Sequence, residues 1–275
     1  MTSDTIAFIG GGNMATSLVG GLVANGHPRE AIWVTDLDPG RLEQLQDKFR
    51  VNTTGDNNLA VRRADTVVLA VKPQVISTVL SEIAQSAKET APLLVSIAAG
   101  VRERDILRGL GYDAAVVRTM PNTPALLGCG ATALYANAFV SAEQRSRAEN
   151  ILHAVGITAW VEDESLLDAV TAVSGSGPAY YFFLMELMER IGVELGLSPE
   201  TARALVLQTA LGAARMANET GDPPETLRRK VTSPGGTTEA ALKRLSAGDF
   251  EAALSQALEA ARDRAVALGE ELGGG

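Results

Sequence analysis

The chain has 275 residues, 46% of them hydrophobic, which is enough for substantial cores in about two domains. Its formal net charge of −9 argues against nucleic acid and anionic membranes as partners, because the average surface would repel both. The single cysteine, Cys129, excludes an intrachain disulfide, and no signal-peptide pattern opens the chain, so we expect a cytoplasmic protein.

The histidine content limits the kinds of catalytic and metal site that the chain can form. The two histidines, His27 and His153, have no second plausible metal ligand or nucleophile near them in the sequence. We therefore predict no metal site and no Ser-His-Asp catalysis, and we expect the partners to be small molecules.

Strand-like and helical patterns alternate before residue 162, which predicts an α/β fold with a doubly wound parallel sheet. The predicted strands are Thr5–Ile9, Ala31–Asp36, Thr66–Ala70, Leu93–Ile97 and Ala114–Arg118. After residue 162, long apolar periodicities predict helices over Ala179–Glu194, Ser198–Asn218 and Phe250–Leu272. The predicted domains are 1–162 and 163–275, and the tail 273–275 is predicted to be disordered.

A glycine-rich segment joins the first predicted strand to a helix that runs to about Asn25. It has the pattern G-x-G-x-x-A at Gly10, Gly12 and Ala15. Gly10 would make the tight turn, Gly12 would let the backbone approach a pyrophosphate, and Ala15 would let the helix pack on the strand. Such a turn also occurs for purely local reasons. Here it follows a strand and precedes a second strand that ends in an acid, which predicts a dinucleotide site.

That acid is Asp36, in the segment WVTDLDP that ends at Pro39. An acid at this strand end can accept both ribose hydroxyls and would repel the 2′-phosphate of NADP, so it favours NAD. The competing interpretation is that Asp36 or Asp38 caps the next helix. Because Asp38 directly precedes a proline, we assign Asp38 to the cap and Asp36 to the ribose.

Further strand ends should line the same cleft, because ligands of open parallel sheets bind beyond the carboxyl ends of the strands. These are LAVKP, which contains Lys72, and SIAAG, which ends at Gly100. Lys72 is either a phosphate or ribose contact, or an exposed lysine before a helix-starting proline. The next segment, RTMPNTP from Arg118 to Pro124, is a stiff polar loop and is either a turn or a ligand contact.

The helical half contains two loops rich in hydroxyls and glycine, SGSGP from Ser174 and SPGGTT from Ser233, each followed by a helix. Their backbone N–H groups should point outward, as at other helix starts that hold anions. Neither loop contains lysine or arginine, which suits a carboxylate better than a polyphosphate. The alternative is that both loops are ordinary capped helix starts.

Six segments, FIGGGNMA, AVKP, SIAAG, MPNTPA, AVSGSGPAY and SPGGTTEAAL, together resemble the Δ1-pyrroline-5-carboxylate reductase family from about residue 5 to residue 270. The resemblance implies a Rossmann-like dinucleotide-binding domain over 1–162 and an all-α substrate-binding and dimerisation domain over 163–275. It also implies reduction of the C=N bond of 1-pyrroline-5-carboxylate to L-proline with NADPH or NADH, the last step of proline biosynthesis.

The resemblance also implies two sets of binding residues. The cofactor set is Ile9, Gly10, Gly11, Gly12, Asn13, Met14, Asp36, Asn57, Ala70, Val71, Lys72, Pro73, Ala98, Ala99, Asn122 and Lys230. The substrate set is Glu164, Ser174, Gly175, Ser176, Gly177, Ser233, Gly235, Gly236, Thr237 and Thr238. Thr238 is the catalytic candidate, and because a hydroxyl is a poor acid near neutrality, we expect it to orient a protonated iminium.

The sequence does not decide between NADPH and NADH. Family members often carry serine or threonine in place of Asp36, and many prefer NADPH. Lys230 could reach a phosphate, whereas Asp36 would repel one, so the two residues favour different cofactors.

Two other functions are compatible with the sequence. A β-hydroxyacid-type dehydrogenase needs a catalytic lysine in its helical half, and neither Lys230 nor Lys243 follows the expected glycine-rich helix start. A non-catalytic NAD(P)-sensing regulatory protein is the alternative from a different class. For assembly, helices that are apolar on more than one face predict burial beyond their own domain. The resemblance implies a homodimer with shared active sites, and a decamer of dimers as a higher assembly.

Overall fold

The computed structural model describes residues 4–273, and its first half is built on one eight-stranded sheet. The strands are β1 Ile6–Ile9, β2 Ile32–Thr35, β3 Asn52–Thr54, β4 Thr66–Leu69, β5 Leu93–Ser96, β6 Val116–Met120, β7 Gly130–Ala136 and β8 Gly156–Trp160. Their order is β3-β2-β1-β4-β5-β6-β7-β8, and neighbours are parallel except β6 and β7. The chain thus winds outward in both directions from β1, which confirms the doubly wound α/β prediction.

Helices cover both faces of this sheet, because its strands are apolar on both sides. They are α1 Asn13–Ala24, α2 Pro39–Phe49, α3 Asn57–Val61, α4 Ile76–Thr90, α5 Glu103–Leu110, α6 Ala142–His153 and α7 Leu166–Val170. Along β1, Phe8 belongs to the core that contains Leu18 of α1, whereas Ile9 belongs to the core that contains Leu80 of α4.

The five predicted strands are confirmed, with ends that differ by one or two residues, and three strands were missed. β3 reads Asn-Thr-Thr and is too short and polar to show a pattern. β7 and β8, which begin at Gly130 and Gly156, are rich in small residues and extend the sheet beyond β6. Their pairing depends on neighbours across the sheet more than on intrinsic propensity.

The second half is helical, as predicted. Its helices are α8 Gly177–Glu194, α9 Pro199–Thr220, α10 Pro224–Lys230, α11 Thr237–Ala247 and α12 Phe250–Gly273. The Ser198 side chain accepts from the backbone N–H of Thr201 at the start of α9, which is the predicted N-cap. Of the glycine tail predicted to be disordered, Gly273 ends α12, and residues 274 and 275 lie outside the described residues.

Contacts divide the chain into two compact units, each of which is described separately below. The first contains the chain up to Ser176 together with the chain from Ala261 onward, and the second is Gly177–Ala260. This division assigns residues 163–176 to the unit that contains the sheet, because α7 packs against β6 and β7. The functional domain boundary after residue 162 stays a prediction.

Candidate active site

The turn after β1 has the geometry that a dinucleotide phosphate requires. Gly10 has φ +102°, and a Cβ atom there would lie 2.7 Å from the carbonyl oxygen of Ala70, so only glycine fits. A Cβ on Gly12 would meet nothing closer than the Arg41 Nη1 atom at 3.9 Å. Space for a ligand is therefore present at Gly12, where a backbone must come close to a pyrophosphate.

The N-terminus of α1 supplies the donors. Gly12 is its N-cap and provides no side-chain cap hydrogen bond. The first backbone N–H groups of the helix, from Asn13 onward, therefore remain available to an anion at the positive end of the helix dipole. Loop and helix start together fit the pyrophosphate of a dinucleotide.

Asp36 follows β2 and holds the turn at Gly10–Gly12 by a hydrogen bond. Its Oδ2 accepts from the backbone N–H of Gly11 at 2.8 Å, and its Oδ1 accepts from that of Asp38 at 3.0 Å. Asp38 accepts from the backbone N–H of Gly40 and is the N-cap of α2, as predicted. Asp36 thus has a structural role in the loop, in addition to the ribose contact predicted for it.

Arg41, in the first turn of α2, is a candidate contact that the sequence motifs do not indicate. Its Nη1 lies 3.5 Å from the carbonyl oxygen of Gly11, and with Lys48 it lines a cleft of about 210 Å³ between α1 and α2. A cation beside a phosphate loop is a candidate contact for the cofactor. The sequence feature that could have indicated this contact is an arginine within one turn of the helix start at Asp38-Pro39.

The other predicted cofactor residues of the first unit follow neighbouring strands. Asn57 opens α3, accepts from the Thr35 hydroxyl at 2.6 Å and donates to Glu82 at 3.0 Å. Lys72 follows β4 and is exposed. Ala98 follows β5, and its backbone N–H donates to the Ser96 hydroxyl at 3.3 Å. The parallel arrangement brings these segments to one edge of the sheet, next to the Gly10 turn.

The Glu164 carboxylate forms an ion pair and a backbone hydrogen bond within the first unit. Its Oε1 accepts from Arg118 Nη1 at 2.7 Å and from the backbone N–H of Glu103 at 2.6 Å. Burial lowers the pKa of Arg118, and the carboxylate of Glu164 opposes that shift. A second ion pair, Arg102 with Asp168 at 2.7 Å, lies in the same region. The predicted substrate contact of Glu164 stays a prediction.

A five-residue π-helical turn, Thr171–Gly175, leads into the first predicted substrate loop and includes its first two residues. The backbone N–H of Ser176 donates to the carbonyl of Thr171 at 2.8 Å, which closes the wide turn. Asn122, predicted as a cofactor contact, donates to Ser174 in this turn. π-Helical turns are rare in proteins, and those that occur are often found at functional sites.

The second predicted substrate loop lies in the second unit and ends at α11. Gly236 is the N-cap of α11 without a side-chain cap, so the backbone N–H groups of Thr237 and Thr238 have no helical acceptor. The backbone N–H of Gly235 donates to the carboxylate of Glu239 at 2.9 Å. The loop therefore already holds a carboxylate of its own chain by a backbone donor.

The predicted residues divide between the two units. The first unit contains the Gly10 turn, Asp36, the strand-end segments, Asn122, Glu164 and Ser174–Ser176. The second contains Gly177, Lys230 and the loop from Ser233 to Thr238. Lys230 pairs with Asp222 there.

Comparison with known proteins identifies the family. Residues 164–268 match the model described as pyrroline-5-carboxylate reductase dimerisation, and residues 5–100 match that of NADP oxidoreductase, coenzyme F420-dependent. A pyrroline-5-carboxylate reductase of Pseudomonas aeruginosa is 52% identical, over 99% of this chain and 100% of that protein. The chain belongs to the pyrroline-5-carboxylate reductase family. The reductase is thus an NAD(P)H-dependent oxidoreductase, and its family reduces 1-pyrroline-5-carboxylate to L-proline in the last step of proline biosynthesis.

Solved structures agree with this assignment. The reductase from Coxiella burnetii superimposes with a TM-score of 0.94 at 46% identity, covering 97% of this chain and 99% of that one. The Plasmodium falciparum pyrroline carboxylate reductase, solved with NADP bound, gives a TM-score of 0.84 at 30% identity, covering 98% and 99%. The predicted family, fold and NAD(P)H cofactor are thereby confirmed.

The helical unit of the reductase exposes large apolar side chains. Tyr181, Phe182 and Phe183 of α8 are 67%, 63% and 60% exposed. Exposed apolar surface of this kind marks an interaction site, and this region lies within the dimerisation match. The reductase is a homo-oligomer, as predicted. Within residues 4–273, no helix combines the length and apolar character needed to cross a bilayer.

Proposed function

We propose that the reductase performs the reaction of its family with two sets of backbone donors, one for the dinucleotide phosphates and one for the substrate carboxylate. The observation that carries the proposal is the Gly10–Gly12 turn, which leads into the uncapped N-terminus of α1. Bound NADPH or NADH supplies the hydride that reduces the C=N bond of 1-pyrroline-5-carboxylate to L-proline.

The proposed cofactor contacts lie at the carboxyl edge of the sheet. The turn from Ile9 to Met14 holds the pyrophosphate, and Asp36 faces the adenosine ribose. The rest of the site is formed by Asn57, Ala70, Val71, Lys72, Pro73, Ala98 and Ala99, and Lys230 is a further proposed contact. The support for this set is the convergence of the β1, β2, β4 and β5 ends.

The proposed substrate contacts hold the carboxylate of the cyclic imino acid. They are Ser233, Gly235, Gly236, Thr237 and Thr238. Ser174, Gly175, Ser176, Gly177 and Glu164 are further contacts of the imino acid, and Glu164, itself a carboxylate, does not bind the substrate carboxylate. The free backbone N–H groups at the start of α11 support this role, because they favour a compact anion at the positive end of the helix dipole. The backbone N–H of Gly235, just before this helix start, now donates to Glu239 and would instead donate to the substrate.

Thr238 orients the ring nitrogen in this proposal. A threonine hydroxyl has no pKa near neutrality and is a weak general acid, so the substrate reacts as the protonated iminium. An iminium is already electrophilic, and its reduction depends mainly on positioning. Thr238 therefore contributes through a hydrogen bond, in agreement with its place in the first turn of α11.

Assembly completes the proposed site. The homo-oligomer is a homodimer in which the dinucleotide domain of one subunit and the helices of its partner share each active site, and these dimers associate further into a decamer of dimers. The exposed apolar residues of α8 support a large subunit interface. We also propose a cytoplasmic location, where NADPH and NADH are available for biosynthesis.

The test follows the loss of NADPH and of NADH absorbance when 1-pyrroline-5-carboxylate is added. We expect oxidation with the wild type, a decrease in kcat of roughly tenfold for Thr238→Ala, corresponding to one lost hydrogen bond, and near-normal activity for Thr238→Ser. Thr220→Ala, an exposed threonine at the end of α9, is the matched control.

Other outcomes would favour the alternatives. Activity on β-hydroxy acids without imine reduction would indicate a β-hydroxyacid-type dehydrogenase. Tight NAD(P)H binding without turnover of either substrate, together with a specific protein ligand, would indicate an NAD(P)-sensing regulator. Both results would overturn the proposed reaction.

A further inference from the structure

The side chain of Asn122 makes three hydrogen bonds, and all of them are to protein atoms. Its Oδ1 accepts from the backbone N–H of Ala131 at 2.9 Å. Its Nδ2 donates to the carbonyl oxygen of Ser174 at 3.3 Å and to the Ser174 hydroxyl oxygen at 3.2 Å. The amide thus joins the loop after β6, the start of β7 and the π-helical turn, which all belong to the first unit.

The orientation of the Asn122 amide is fixed by its partners. A backbone N–H can only donate, so the atom that faces Ala131 must be the oxygen. The amide nitrogen must then face Ser174, where a carbonyl oxygen can only accept. The Ser174 hydroxyl is therefore an acceptor toward Asn122, and its proton remains available for another group. Among residues 4–273, no hydrogen bond donated by this hydroxyl is observed.

The same loop also supports the turn at a second point. Met120 lies against Gly175, where an added Cβ atom would clash with the methionine methyl carbon. Residues 120–122 therefore contact two consecutive residues of the π-helical turn, one by packing and the other by hydrogen bonds. A rare backbone turn persists only where surrounding contacts hold it, which is the situation here.

We propose that Asn122 is a positioning residue, which orients the Ser174 hydroxyl as a hydrogen-bond donor toward the carboxylate of the substrate. The inference rests on the proposed function, in which Ser174 contacts the imino acid. The sequence predicted a cofactor contact for Asn122, and this inference gives it an action through Ser174 instead. A hydroxyl whose oxygen already accepts one hydrogen bond presents its proton to an anion, which suits a carboxylate and disfavours a cation.

The test is Asn122→Asp in the full-length enzyme. The substituted carboxylate is almost the same shape and still accepts from Ala131, but it draws the Ser174 proton toward itself. We expect the KM for 1-pyrroline-5-carboxylate to rise about tenfold, which corresponds to one charge-assisted hydrogen bond. We expect kcat and the Kd for NADPH, measured by quenching of protein fluorescence, to change less than threefold. In a Ser174→Ala background, the same substitution should raise KM much less.

Asn137→Asp is the matched control for a purely structural effect. Asn137 is a buried amide that also accepts backbone N–H groups, here of Val116 and Phe139, and donates to the carbonyl of Ala114. Its substitution should lower the thermal midpoint and leave the KM of the folded enzyme unchanged. If Asn122→Asp is too unstable to purify, Asn122→Ser and Ser174→Ala carry the same KM test.

Three outcomes would overturn the inference. An unchanged KM in Asn122→Asp would show that the amide does not control Ser174. Fully multiplicative effects in the double variant would show that the two residues act independently. A weaker NADPH affinity with unchanged KM would instead make Asn122 a cofactor contact. A wild type that does not reduce the imino acid would be a failure of the proposed function, and it is distinguished from these three by the wild-type assay.

Discussion

Arg118 Nη1 lies 2.7 Å from Glu164 Oε1, and the two side chains are 6% and 24% exposed. The pair connects β6 to the segment before α7, and the backbone N–H of Glu103 donates to the same carboxylate oxygen. A buried guanidinium without its carboxylate would keep its charge and lose its partner, which costs more than the pair itself contributes.

Glu164→Ala should therefore destabilise the first unit by about 3 kcal/mol, because Arg118 remains buried and charged. For a protein of this size, the thermal midpoint should fall by roughly 5–10 °C. Calorimetry or circular dichroism would measure this. Glu219→Gln breaks an exposed pair with Arg215 and should change the midpoint by no more than about 2 °C. Equal midpoints for the two variants would contradict the structural role of the Arg118–Glu164 pair.

Gly10→Ala and Gly26→Ala form a matched pair of substitutions at positive φ. Both glycines have φ near +90°, at +102° and +87°, but only at Gly10 would a Cβ meet another atom within 4 Å. Both variants carry backbone strain of about 1 kcal/mol, and Gly10→Ala adds a clash with Ala70. We expect Gly10→Ala to abolish measurable NADPH binding in fluorescence titrations and Gly26→Ala to retain it. Similar NADPH affinities would refute the role of the Gly10 turn.

Asp36→Asn and Asp36→Ser test the cofactor preference. Both remove a negative charge beside the proposed ribose site, so the affinity for NADPH should rise relative to NADH by roughly tenfold. Asn keeps an acceptor for one of the two backbone N–H groups that the carboxylate now binds, and should therefore be the more stable variant. Calorimetric titration with both cofactors measures the ratio. An unchanged ratio of NADPH to NADH affinity would show that Asp36 only holds the loop by its hydrogen bonds.

His27 should make stability depend on pH. Burial lowers the pKa of His27 from its usual 6.5, although a hydrogen bond with the backbone of Asp4 opposes the shift. Because the unfolded chain binds this proton more readily, the stabilisation is present above about pH 6.5 and is lost as the pH falls through the folded-state pKa.

His27→Asn should weaken this dependence, since it removes the titrating group. The measurement is urea unfolding of both proteins at a series of pH values between about 5 and 8. His153→Asn, at the other histidine, which is exposed, should keep the wild-type pH dependence. The same slope in wild type and His27→Asn would assign the dependence to other groups.

Local patterns were sufficient to predict most of the framework. The β1 strand and the Gly10 turn carry their signals within ten residues, and the Asp38 and Ser198 caps act on residues two or three positions away. Buried parallel strands and long helices have periodicities that are visible in the sequence. The resemblance to the family also lies in contiguous segments, and the similar Pseudomonas aeruginosa protein and Coxiella burnetii structure confirm it.

Only the tertiary structure decided which side chains meet. Arg118 and Glu164 are separated by 46 positions, and Asn122 and Ser174 by 52, so no local period relates the members of either pair. The structure likewise brings Arg41 beside Gly11, and its sheet contains β7 and β8, which the sequence patterns did not predict. These contacts form because the folded sheet brings distant segments to one edge. The sequence therefore predicted the loops, and the fold decided what holds them in place.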